Sequence, residues 1–315
     1  MRPILFSIGD VNIYSYGLML AIAAIAAITF AEKYAAKKGL DKDLAFNLGI
    51  ICVISGVLGA KILYWITIIP QFVKDFMGTL KNSLSEGFVV YGGVIVGILV
   101  GLIICLKHKK NFFRYFDVAV IAIALGQAFG RVGCFLAGCC YGVPTDSWIG
   151  ITFPAGSFAP SGVPLVPVQL ISVAANLLHF GILLFCSKKF KTPGRVGALY
   201  VILYSIGRFI IEFWRVEPTV GSTGLSNSQF ISVITLPIGI ILMILVGRLN
   251  KLVKVDSDFP AEEPACEDTE VCDETESCEE TEVCNENEVC DETPACDNED
   301  IAEDTETEVE EGSDN

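Results

Sequence analysis

Charged side chains are scarce in this chain, at 19% of 315 residues, against about a quarter in a typical soluble domain. Basic residues are missing altogether beyond Lys254, although residues 256–315 hold 27 of the 37 acidic ones. The preceding 255 residues therefore carry all 22 Lys and Arg and only 10 Asp and Glu. A single soluble globular domain is excluded. So is a basic nucleic-acid binder, because no sizeable stretch of the body is polar enough, and no nucleic-acid partner is expected. Histidine is nearly absent too, with only His108 and His179. No run alternates with period two, which removes the signature of a membrane barrel strand.

What the chain does have is apolar length. Seven segments, near 13–31, 44–66, 87–106, 115–136, 167–187, 196–213 and 229–247, reach the roughly 20 helical residues that cross a hydrocarbon layer of about 30 Å. Unpaired backbone groups cannot face lipid, so these predict helices. The fold class is all-α: a polytopic membrane helix bundle of about seven transmembrane helices. Fifteen Lys and Arg fall on one side of the alternating connections, in loops 32–43, 107–114 and 188–195 and after the last segment, against Arg2, Lys74, Lys81 and Arg215 on the other. By the positive-inside rule the N-terminus is outside and the C-terminus cytoplasmic. The positive cluster of the first segment follows its apolar run, the reverse of a signal peptide, so a retained helix is expected.

Two domains follow: a seven-helix body, 1–255, and an acidic tail, 256–315. In the tail a cysteine recurs every six residues, from Cys266 through Cys272, Cys278, Cys284 and Cys290 to Cys296. Six fits neither face of a 3.6-residue helix, and the dense like charge predicts disorder. Without a CxxC spacing or a histidine, the zinc signal is weak. On the cytoplasmic side these thiols stay reduced. The tail is read as a solvated low-complexity segment with no part in the chemistry.

Ionisable groups inside membrane segments are costly and point to function. Lys61 sits close enough to a segment end to snorkel. Arg131 does not: it lies about 7 Å inside the outward end of the fourth segment, within GQAFGRVGCFLAGCCYG, Gly126 to Gly142. Spacing of small residues explains those glycines as packing devices but not a guanidinium. In the sixth segment Tyr204, Arg208, Glu212 and Arg215 are spaced four, four and three apart, on one helical face. Two readings of that stripe are open: a self-neutralised Arg208–Glu212 pair, or part of a site. Tyr16, Tyr91 and Gln169 mark outward starts of segments one, three and five. Five helices thus set polar residues at one depth in the outer leaflet. A cavity there is cationic, with forked guanidinium donors suited to phosphate oxygens, and lipid headgroups are the phosphates at that depth.

Over residues 1–250 the chain resembles the bacterial prolipoprotein diacylglyceryl transferases, on SYG at Ser15–Gly17, YGG at Tyr91–Gly93, GRVGCFLAGCCYG at Gly130–Gly142, PVQL at Pro167–Leu170 and YSIGRFIIEFWR at Tyr204–Arg215. The resemblance implies transfer of the diacylglyceryl group of phosphatidylglycerol to the lipobox cysteine thiol of exported prolipoproteins, forming a thioether and releasing glycerol phosphate. It implies a multi-pass protein of the cell membrane (plasma or inner), among membrane lipids, with the site toward the outer leaflet. Arg131 would bind the lipid phosphate and Arg208 would be the second essential arginine, while Tyr16, Gly142, Tyr204 and Glu212 shape the site, with Arg215, Gln169 and Cys134 beside them. No cofactor and no metal is expected. The chain departs from the family where His–Gly–Gly becomes Tyr91–Gly92–Gly93, where Asn becomes Cys134 and Glu becomes Cys139, and where Gln–Leu–Tyr–Glu continues as Gln169–Leu170–Ile171–Ser172.

Free tyrosine titrates near 10, far from neutrality, whereas a thiol at about 8.5 is already partly ionised. Tyr91 is therefore read as a hydrogen-bonding group and the acceptor thiolate as the nucleophile. Cys134, Cys139 and Cys140 read as small residues packing a glycine-rich turn, a redox or acyl-carrying role being the other option. Two rival functions remain at this point: a divergent paralogue with another acceptor, and a transporter or lipid-binding protein with an outer-leaflet anion site. A transporter would show repeats and midplane polar groups, and neither is evident.

Overall fold

The computed structural model describes residues 3–8, 11–85, 87–215 and 224–252. A short hairpin, β1 (Ile4–Ile8) and β2 (Val11–Tyr14), leads into α1 (Ser15–Lys37), α2 (Lys42–Thr67), α3 (Ile69–Lys74), α4 (Phe76–Ser85), α5 (Val90–Lys107) and α6 (Phe112–Ala137). After a two-stranded ribbon, β3 (Ile151–Thr152) and β4 (Pro164–Leu165), come α7 (Val168–Lys189), α8 (Arg195–Ile211), a 3-10 turn at Glu212–Trp214, and α9 (Asn227–Leu252). Seven of these helices are long and apolar enough to cross a membrane, and they coincide with the seven expected segments. The acidic tail lies outside the described residues.

Polar residues start and join the helices. Asp41 accepts from the Leu44 N–H at 3.0 Å and Asn111 from the Phe113 N–H at 3.0 Å, each closing a helix N-terminus whose first N–H groups lack partners. Asp117, an acid inside the fourth span, accepts from the N–H groups of Gly194 and Gly197, both at 2.7 Å. It thereby fastens α6 to the positive start of α8. At the same end Lys38 Nζ donates to the Ser187 carbonyl at 3.0 Å, tying the end of α1 to the end of α7.

Helix α6 is the axis of the bundle. It packs on α1, α7 and α8, and its Val120, Ile121 and Ala124 are almost wholly buried in the main core with Leu183 and Val196. Helices α2 and α5 meet backbone to backbone. A Cβ on Gly59 would stand 2.7 Å from the Gly92 carbonyl oxygen, so only glycine permits this crossing. Lys61 donates to the Gly87 carbonyl at 3.3 Å and lies 4.5 Å from the Phe88 ring centroid, a role within the structure rather than in chemistry.

Two departures from the sequence reading concern elements. The stretch 67–86, expected as a connection, contains α3 and α4, which leave Val73, Phe76 and Met77 exposed. They are too short and too broken to register as a span, yet apolar enough to fold as an amphipathic pair. The sixth helix also ends sooner than the Tyr204–Arg215 stripe requires. Helix α8 stops at Ile211, and Arg215 is extended, its N–H on the Glu212 carbonyl at 3.0 Å.

Candidate functional site

Arg131 stands on α6 two turns before the helix is closed by Gly138, whose left-handed conformation (φ 73°) is the usual helix C-terminal stop. The Cys139 N–H returns to the Cys134 carbonyl at 3.1 Å. Gly142 then enters a crevice between two other chain segments. Its N–H donates to the Val166 carbonyl at 3.0 Å, and the Val143 N–H donates to the Trp214 carbonyl at 2.9 Å. A Cβ at Gly142 would meet the Trp214 oxygen at 2.6 Å and the Val166 oxygen at 2.8 Å. Gly142 thus clamps the segment after α6 to the start of α7 and to the end of the α8 segment, where it bridges Arg215.

The stripe on α8 is one ionic cluster. Glu212, 2% exposed, takes Arg208 Nη2 at 3.0 Å and Arg215 Nη1 at 3.9 Å on the same carboxylate oxygen. Its other oxygen accepts from Ser226 Oγ at 2.8 Å, and Arg208 Nη2 also donates to Ser228 Oγ at 2.7 Å. The expected Arg208–Glu212 pair exists and is wider than expected. A capping box at the start of α9 supplies the hydroxyls: the Gln229 N–H donates to Ser226 Oγ at 3.2 Å, and the Ser226 N–H returns to Gln229 Oε1 at 3.1 Å. Ser226 and Ser228 were not singled out by the sequence reading, although Ser226–Asn227–Ser228–Gln229 is a legible capping pattern.

Arg131 is different. Among the described residues its guanidinium has neither a hydrogen bond nor an ion-pair partner. It does act electrostatically on Arg208, Tyr16 and Cys140. Tyr91, in the first turn of α5, is in electrostatic range of Tyr204, Arg208 and Glu212. Tyr16 packs on α6 where a Cβ at Gly133 would approach its ring at 3.3 Å. The residues expected from five helices are therefore gathered at one end of the bundle. Tyr16, Tyr91 and Tyr204 are all exposed, at 40%, 49% and 40%, while Arg131 and Arg208 are half-buried.

Two expected residues stand behind this surface. Gln169 is wholly buried, its Nε2 donating to the Cys139 carbonyl at 2.7 Å, so it supports the turn after α6. Cys134 is buried as well, and its sulfur lies with those of Cys139 and Cys140, all within 4.8 Å of one another. Hydrogen bonds from Cys134 and Cys139, helped by Arg215 and Arg131, hold the Cys140 thiol far below the usual thiol range. Cys139 Sγ donates to the Cys134 carbonyl at 3.7 Å, and the closeness of Cys134 and Cys140 pushes its thiol up.

His179 is buried in α7 and stacks on Tyr200 at 5.0 Å between ring centroids, and Tyr200 stacks on Tyr204 at 5.8 Å. Gln127 Nε2 donates to the Tyr200 hydroxyl at 2.9 Å. His179 was not among the residues expected at the site. The structure links it to Tyr204 through one intervening ring, a contact between helices that no spacing within one helix reveals.

The arrangement brings one guanidinium that is unpartnered among the described residues and one paired guanidinium near three exposed phenols, donors suited to a phosphodiester. Residues 3–245 match the family described as prolipoprotein diacylglyceryl transferase. A phosphatidylglycerol--prolipoprotein diacylglyceryl transferase of Clostridium tetani is 43% identical over 240 residues, covering 76% of this chain and 96% of the relative. One of Clostridium perfringens, numbered 2, is 45% identical over 254 residues, 80% of this chain and 96% of the relative. One of Dehalococcoides mccartyi is 34% identical over 254 residues, 79% and 95%.

Proposed function

Because this chain belongs to the prolipoprotein diacylglyceryl transferase family, we propose that its arginine-lined end moves the diacylglyceryl group of phosphatidylglycerol onto the lipobox cysteine of exported prolipoproteins. The protein is a multi-pass membrane transferase of lipoprotein maturation. The observation that carries the assignment of the site is the guanidinium of Arg131, unpartnered among the described residues and acting electrostatically on Arg208.

Arg131 binds the lipid phosphate through its forked donors. The acceptor's own thiolate attacks the glyceryl carbon joined to that phosphate, the C–O bond breaks, and glycerol phosphate leaves with the electron pair. Charge grows on the departing phosphate, and Arg131, with Arg208 held in place by Glu212 and Ser228, opposes it in a low-dielectric site. No nucleophile is required of the enzyme, whose contribution is placement and charge. Tyr91 and Tyr204 hydrogen-bond the lipid, Tyr16 borders the same space, and Gly142, Gln169, Cys134 and Arg215 shape its floor. The distribution of Lys and Arg supports an external N-terminus, a cytoplasmic C-terminus and a site facing the outer leaflet of the cell membrane. Residues 1–255 form the catalytic body, and the tail takes no part.

Complementation tests this reading. A bacterial strain depleted of its own transferase grows and lipidates its prolipoproteins when it carries this chain, and also when it carries residues 1–255 alone. Continued accumulation of unmodified prolipoprotein with the full chain present and in the membrane would contradict the reading.

A further inference from the structure

The function derived above uses the arginines and phenols, gives Cys134 only a place in the floor of the site, and assigns no chemistry to any of the three thiols Cys134, Cys139 and Cys140. Cys134, Cys139 and Cys140 hold their sulfurs within 4.8 Å of one another, and among the described residues neither histidine nor carboxylate joins them. We propose that these three sulfurs form a binding site for one thiophilic metal ion of the zinc class.

The backbone is shaped for it. Gly138 and Cys140 both occupy the left-handed region, at φ 73° and 61°. For glycine that conformation is routine, but for cysteine it is uncommon and is kept only where the surroundings enforce it. Here it turns the chain back at the end of α6, so that Cys140, six residues after Cys134, brings its sulfur back beside it. Gln169 holds this turn by donating from Nε2 to the Cys139 carbonyl at 2.7 Å, and its own Oε1 is buried with no partner among the described residues.

Geometry and charge both fit. Sulfurs that bind a tetrahedral zinc ion at about 2.3 Å lie about 3.8 Å apart, so the trio closes on an ion by about 1 Å of side-chain adjustment. Soft thiolates select soft or borderline cations over magnesium or calcium. Three thiolates around a divalent ion carry one net negative charge, and Arg131 and Arg215, both acting on Cys140, offset it. With three protein ligands the ion keeps a fourth position for water or another donor, as in open rather than closed zinc sites. Loading the site releases the thiol protons and places the ion beside Arg131, next to the anion-binding surface.

The test uses the full-length, reduced, metal-stripped chain in detergent, with Zn(II) as the probe in excess over all twelve cysteines. The chain is alkylated with N-ethylmaleimide, and modification is read peptide by peptide, which separates the tail thiols from the trio. Zinc is expected to slow alkylation of Cys139 and Cys140 about tenfold or more, because a metal-held thiolate is no longer a free nucleophile, and chelator restores the rate. Cys134→Ser abolishes the protection of both, and Cys139→Ser abolishes that of Cys140. Equal rates with and without zinc, or protection that survives in both variants, overturn the proposal. The outcome is independent of transfer activity, so it stands or falls apart from the transferase reading.

Discussion

Glu212 is the residue on which the cationic site depends. It is 2% exposed, and one carboxylate holds Arg208, Arg215 and Ser226. Removing one partner of a buried ionic cluster leaves the others uncompensated and costs about 3–5 kcal/mol. Glu212→Gln is therefore expected to lower the thermal unfolding midpoint in detergent clearly, and an unchanged midpoint contradicts the cluster. Tyr91 allows a sharper distinction. If its phenol only hydrogen-bonds the lipid, Tyr91→Phe loses about 0.5–1.5 kcal/mol, roughly a tenfold fall in rate at most. If it were the general base, the loss would reach about 10²–10⁴. Initial rates of lipid transfer to a lipobox peptide separate the two, and the smaller fall is expected. Arg131 and Arg208 were legible in the sequence because a guanidinium in an apolar run has few structural excuses. Ser228 as the partner of Arg208, and the approach of the Cys134, Cys139 and Cys140 sulfurs to within 4.8 Å of one another, were not. Both depend on turns, the start of α9 and the left-handed close of α6, that bring distant or oddly spaced residues together.

At the scale of elements, Gly142 joins three chain segments, and its crevice is lined by backbone oxygens that cannot swing aside. Gly142→Ala should thus push apart the segment after α6, the start of α7 and the end of the α8 segment, with a loss of about 1–3 kcal/mol. Gly181→Ala, in α7 with nothing within 4 Å of the added atom, is expected to be neutral or to gain up to about 1 kcal/mol from helix propensity. Thermal unfolding of the two variants side by side reads the difference, and equal midpoints contradict the clamp. The seven long helices were legible from apolar length alone, since lipid allows an apolar run of about 20 residues few alternatives. Helices α3 and α4 were not, because a run of six or ten residues with lysines in it gives hydropathy nothing to average. The stripe through Arg215 holds as an ionic cluster but not as one unbroken helix. Helical spacing continues on paper past Ile211, but the chain there leaves the helix to pair with Gly142.

For the whole molecule, the alternation of basic and non-basic connections sets an orientation that can be measured directly. On the orientation proposed from those charges, Trp148, 94% exposed in the loop between α6 and α7, is expected on the outer side, and Lys109, exposed between α5 and α6, on the inner one. In intact cells a membrane-impermeant maleimide should label Trp148→Cys above the background of the unaltered chain, and Lys109→Cys only after permeabilisation. The reverse pattern would turn the site inward, away from exported acceptors. Fold class was legible at this scale because hydropathy and charge act through the bilayer on every segment at once. The separation of the tail from the body rests on composition alone, where 27 acids follow a body that holds 10.

All three scales converge on the guanidinium of Arg131, unpartnered among the described residues and proposed to hold the lipid phosphate. The most direct measurement is the rate at which purified Arg131→Ala transfers labelled diacylglyceryl from phosphatidylglycerol to a lipobox peptide, in protein whose unfolding midpoint matches the unaltered chain. A fall of about 10²–10³ or more is expected from the loss of one such donor. Transfer at the unaltered rate would mean that the departing phosphate is held elsewhere.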